Sequence, residues 1–136
     1  MTYLNSNQLK QYSDEGFVSP VNIFSKEKAK EIRDEIELIE KKLPNELEKT
    51  GRYNAHLISP MLDEVTHNEN ILNAVESLIG GNILVCGTTL FIKNPGEGGF
   101  VSYHQDAKYI GLKPHNWVTA WVAITDSNEN NGCMKM

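Results

Sequence analysis

The chain has 136 residues, 40% of them hydrophobic, with 13 basic and 18 acidic side chains and a formal net charge of −5. That length holds one domain at most, and the acidic balance leaves no basic face to neutralise phosphates, so nucleic acid is excluded as an expected partner. No apolar run approaches the ~20 residues of a membrane span, and Met1-Thr2-Tyr3-Leu4-Asn5-Ser6 lacks the features of a secretory signal, so a cytoplasmic setting away from membranes is expected.

Charge falls unevenly along the chain. Residues 26–49 carry 15 charged side chains in 24 positions, and residues 81–136 only 8 in 56. A helical, solvated region 1–80 is therefore expected to precede a buried, strand-rich region 81–136 within a single domain 1–136. A first helix is expected between Ser6 and Glu15, with Asn5 or Ser6 as N-cap and Gly16 placed to end it. Phe17-Val18 opens a brief extended piece, broken at Pro20. A second helix starts after Ser25 as N-cap and runs to about Lys42, because Ala29, Ile32, Ile36, Ile39 and Leu43 recur at intervals of three and four; Pro44 stops it. Its charged remainder reads as a wet face. Residues 45–62 read as a loop punctuated by Gly51 and Pro60.

A third helix, from Asp63 or Asn68 to Ile79, carries Ile71, Leu72, Val75, Leu78 and Ile79 on one side and closes at Gly80-Gly81. The period then changes to two. Strands are expected over 83–92, 100–106 and 117–124, with a turn at 94–99 and a stronger one at 125–132. Cys133 to Met136 would begin another strand, so the chain reads as an incomplete domain whose open sheet edge invites self-association or a complementing chain. Cys86 and Cys133 fit neither a disulfide framework nor a Cys-x-x-Cys site and read as reduced thiols.

His104-Gln105-Asp106 carries the most chemistry. On a strand, alternation puts His104 and Asp106 on one face. An imidazole nitrogen and a carboxylate oxygen so placed are two-thirds of the 2-His-1-carboxylate triad that holds non-haem Fe(II). A surface histidine beside a carboxylate is the plainer reading of the same three residues.

Residues 91–136 resemble the phytanoyl-CoA dioxygenase family of Fe(II)- and 2-oxoglutarate-dependent oxygenases. The resemblance rests on Lys93 before a Pro-Gly turn, Tyr103-His104-Gln105-Asp106, Tyr109, Gly111-Leu112-Lys113-Pro114, Val118-Thr119-Ala120-Trp121-Val122-Ala123-Ile124 and Glu129-Asn130-Asn131-Gly132-Cys133-Met134. It extends more weakly through Asn54-Ala55-His56-Leu57 and the segment ending at Gly80. It implies a mainly β fold with N-terminal helices, an incomplete double-stranded β-helix or jelly roll of cupin type. It also implies Fe(II) as metal, 2-oxoglutarate as co-substrate, and dioxygen-dependent hydroxylation of a small aliphatic substrate.

Carried over residue by residue, His104 and Asp106 are the iron ligands, and Trp121 lines the 2-oxoglutarate pocket. Gln105 belongs to the motif, Lys93 reaches a co-substrate carboxylate, and His56 stands near the pocket mouth. The resemblance puts a second iron histidine and the arginine that anchors 2-oxoglutarate beyond Met136, so the 136-residue chain by itself is expected to be inactive. His115 is the only nearby substitute for the missing ligand, and His67 reads as solvent-facing. Two readings of other classes stand beside this one: a non-catalytic interaction fragment associating through its sheet edge, and a cupin-like metal hydrolase or binding protein.

Overall fold

The computed structural model describes residues 3–44, 52–96 and 98–136. Gly51, expected to punctuate a loop, and Glu97, in the expected 94–99 turn, lie outside the described residues.

Helix α1 (Ser6–Glu15) starts where Asn5 accepts a hydrogen bond from the Gln8 backbone N–H. The Gln8 side chain bonds back to the Asn5 N–H at 3.0 Å, a reciprocal capping box. Gly16 ends the helix at φ 79, a left-handed conformation that costs glycine little. Helix α2 (Lys26–Lys42) is capped by Ser25, as its sequence predicts. Its exposed face carries Lys30–Asp34 and Arg33–Glu37 pairs at 2.5 and 2.6 Å. Exposed pairs of this spacing contribute only tenths of a kcal/mol.

The single helix expected from Asp63 or Asn68 to Ile79 is two. Helix α3 (Pro60–Thr66) begins at Pro60, with Ser59 as N-cap, and helix α4 (Glu69–Ile79) begins after Asn68. Pro60 is thus a helix-starting residue rather than loop punctuation, since its fixed φ and missing N–H suit the first helical position. Before α3, Ala55–Leu57 form a 3-10 turn.

The core lies between α2 and α3, where Ile32, Ala55 and Leu62 are buried, with Phe24, Ile36, Ile39, Met61, Val65, Leu90 and Ile124 packed around them. Ser59 is buried among them and donates from Oγ to Glu35 Oε1 at 3.0 Å, tying α3 to α2. At the N-terminus Leu4 is buried, and the Tyr3 and Leu4 N–H groups reach Ser77 Oγ on α4 at 3.2 and 3.4 Å.

The expected jelly roll is not found. Among the described residues there is no sheet, and the only β pairing is one antiparallel bridge between Tyr53 and Thr89. Backbone bonds from Leu90 N–H to the Arg52 carbonyl (2.8 Å) and from Asn54 N–H to the Thr88 carbonyl (2.7 Å) flank it. Gly87 permits this approach, because a Cβ there would stand 2.8 Å from Asn54 Oδ1.

The segments 83–92, 100–106 and 117–124 are not strands, and the expected burial of the second half is absent: Leu84 is 89% exposed and Phe100 85%. Alternating apolarity marks a face that could be buried, whereas a strand needs a neighbour to satisfy its N–H and C=O groups, and the pattern does not encode that neighbour. With no sheet among the described residues, the sheet edge on which self-association was expected to rest is absent too. Residues 106–110 form a short helix, α5 (Asp106–Ile110), so Asp106 opens a helix instead of ending a strand.

Candidate metal centre

The His104–Asp106 pair forms without a strand. Gln105, the N-cap of α5, has φ −121 and ψ 119. One extended residue suffices to send the side chains on either side of it the same way. His104 Nε2 consequently stands 3.0 Å from Asp106 Oδ1. On its other side, Nδ1 lies 2.7 Å from the Ser102 carbonyl, which can only accept, so Nδ1 carries a proton and the ring is held by its own backbone.

The Ser102 carbonyl holds the His104 imidazole above the ordinary histidine range; desolvation opposes it, and the Asp106 carboxylate adds to the upward shift. Tyr109, on α5, meets the ring edge-on with centroids 6.1 Å apart. Tyr103, His104, Gln105, Lys108 and Tyr109 line an open recess of about 420 Å³ at the pair.

The donor set suits a divalent metal such as Fe(II): one borderline imidazole nitrogen and one hard carboxylate oxygen. The two donor atoms stand 3.0 Å apart and are joined by a hydrogen bond, so a metal held by both would take the place of the shared proton. The Nδ1–H bond to Ser102 leaves Nε2 as the ring atom a metal would take, in place of the proton that Nε2 shares with Asp106 Oδ1 here. Among the described residues no group of three His, Cys, Asp or Glu could hold a metal, so His115 does not complete the set.

Of the other expected residues, Gln105 lines the recess at the pair, and Lys93, Trp121, His56 and His67 are not gathered there. Lys93 Nζ donates to the Gly132 carbonyl at 2.5 Å. Trp121 is half-exposed and outside the recess. His56 Nδ1 lies 2.8 Å from Thr88 Oγ1 and lines a separate recess of about 810 Å³ with Asp63, His67, Glu69, Leu72 and Glu76. His67 is exposed, its ring nitrogen 3.0 Å from the Asp63 carbonyl. Both cysteines are free.

Two contacts of the pair were not read from sequence. The Ser102 carbonyl is backbone and leaves no residue-type signal. Thr119 Oγ1, which donates to Asp106 Oδ2 at 2.5 Å, comes from 13 residues away and is named above only as part of a longer matching segment.

A family model described as phytanoyl-CoA dioxygenase (PhyH) matches residues 12–136. A phytanoyl-CoA dioxygenase domain-containing protein 1 from Danio rerio is 34% identical over 80 residues, which cover 58% of this chain and 28% of that protein. A 2-aminoethylphosphonate dioxygenase from uncultured bacterium HF130_AEPn_1 is 28% identical over 154 aligned positions, covering 100% of this chain and 58% of its own. The peroxisomal phytanoyl-CoA dioxygenase of Rattus norvegicus is also 28% identical, over 96% of this chain and 46% of its own. The chain thus spans between 28% and 58% of the length of these relatives. No solved structure matches it.

Proposed function

The chain belongs to the phytanoyl-CoA dioxygenase family, and on that premise we propose that it carries two of the protein ligands, His104 and Asp106, of an Fe(II)- and 2-oxoglutarate-dependent dioxygenase acting on a small aliphatic molecule. The observation that carries this reading is the 3.0 Å approach of His104 Nε2 to Asp106 Oδ1, beside a recess open to small molecules. A bound iron would activate dioxygen, the oxidant, with 2-oxoglutarate supplying two electrons as it is decarboxylated to succinate, for hydroxylation of an unactivated C–H bond.

The chain's own residues hold and orient. Ser102 fixes the imidazole plane through Nδ1–H, so that Nε2 faces the carboxylate. Asp106 offers Oδ1 on the same side and brings the negative charge that favours a divalent cation. Gln105, Trp121 and Lys93 are the residues we assign to the co-substrate. Gln105 already lines the recess. Lys93 would have to leave the Gly132 carbonyl to pair with a carboxylate. Tyr109 meets the His104 ring edge-on and Tyr103 lines the same recess, both with most of their surface in solvent.

The test is an anaerobic titration of the chain with Fe(II) and 2-oxoglutarate. A visible charge-transfer band of a metal-chelated 2-oxo acid is expected, and Asp106→Ala removes it. A band of undiminished strength in Asp106→Ala would overturn the reading, because the chelate would then form away from the His104–Asp106 pair.

A further inference from the structure

We propose that Thr119 is a positioning residue for the metal ligand Asp106, its hydroxyl tethering Oδ2 so that Oδ1 alone faces the metal. The inference rests on the metal-site reading above. Three side chains form a hydrogen-bonded series with only one consistent polarity. Trp117 Nε1–H can only donate, and it lies 3.2 Å from Thr119 Oγ1. An ionised Asp106 carboxylate can only accept, and its Oδ2 lies 2.5 Å from the same hydroxyl. The single Thr119 proton therefore points at Asp106, because the indole occupies the acceptor side of the oxygen.

The two carboxylate oxygens are then differently engaged: Oδ2 is held by Thr119, and Oδ1 faces His104 Nε2 at 3.0 Å. Without the tether, the carboxylate is free to rotate about its last bond, which exchanges the oxygens and spoils their register with the imidazole. A side chain so exposed as Asp106, 42% accessible, has little packing to prevent that rotation. Trp117 and Thr119 precede the half-exposed Trp121 on the same segment, and Thr119 is the residue of that segment that bonds to Asp106.

Thr119 is exposed, so substitutions there leave the helical core untouched. Valine keeps the shape and one methyl of threonine but has no hydroxyl; serine keeps the hydroxyl. The experiment titrates the chain with Mn(II) alone, reading free Mn(II) by electron paramagnetic resonance, for the wild type, Thr119→Val, Thr119→Ser and Asp106→Ala. Loss of a tether of this kind commonly weakens metal binding ~10- to 100-fold. Thr119→Val is expected to raise the Mn(II) dissociation constant at least ~10-fold, and Thr119→Ser to restore it to within about threefold of wild type.

A Thr119→Val affinity within about twofold of wild type, alongside a clear loss in Asp106→Ala, overturns the role of Thr119 and leaves the metal reading intact. Equal losses in the valine and serine variants also overturn it, because the hydroxyl would then not be the operative group. If Asp106→Ala binds as well as wild type, the metal reading and this inference fall together.

Discussion

Asp106→Ala is expected to lower the affinity of the chain for Fe(II) by more than about a hundredfold, and His104→Ala by a similar factor, in anaerobic calorimetric titrations. The scale follows from comparison with outer contacts: losing a group that merely orients a ligand costs ~10- to 100-fold, and these two substitutions delete the ligand atoms. His104→Ala removes the imidazole whose Nδ1 is bonded to Ser102, and Asp106→Ala removes the only carboxylate within bonding distance of Nε2 among the contacts described. No third His, Cys, Asp or Glu joins them among the described residues, so no neighbouring donor is at hand to compensate. Near-wild-type affinity in either variant would show that the metal sits elsewhere. Both positions are exposed enough that helix content should not change, and far-UV circular dichroism checks this.

Ile32→Ala carries the largest expected loss of stability, about 3 kcal/mol. Ile32 is 1% exposed and sits against Ala55 and Leu62, so truncation leaves a cavity where α2 meets α3. Rigid neighbours fill such a space only in part, which adds a cavity cost to the lost transfer energy. For a chain of this size the thermal midpoint should fall by roughly 10 °C, read by circular dichroism at a helix band. Leu38→Ala, on the same helix but 43% exposed, is the control, and its midpoint should stay within about 2 °C of wild type. Equal shifts for the two would mean that the α2–α3 contact does not carry the fold.

The features that the sequence displayed reliably are those decided within a few residues. Asn5 and Ser25 cap their helices, Gly16 and Gly80 end theirs, and the spacing of Ile32, Ile36 and Ile39 gives the inner face of α2. Pro60 was legible too, but as a helix start after the capping Ser59, a local signal that the loop-like neighbourhood hid. Strand pairing was not legible. Period-two runs at 83–92 and 117–124 name a face, whereas a ladder depends on partners that no local pattern specifies.

The site divides the same way. His104 and Asp106 could be paired from spacing alone because a single extended residue, Gln105, brings them together even where no strand exists. Thr119 could not, since only the folded path of the chain brings its hydroxyl to Asp106 Oδ2 across 13 positions. Trp121 and Lys93, assigned by resemblance, depend equally on that path, and here they lie away from the pair.

The central claim, that His104 and Asp106 are metal ligands, is tested most directly by locating a bound paramagnetic ion in solution. Substoichiometric Mn(II) added to isotope-labelled chain should broaden the His104 ring signals first, together with the backbone amides of residues 102–106 and of Thr119. Broadening centred instead on His56, His67, Glu69 and Glu76, which line the larger recess, would contradict the claim and place the metal in that recess.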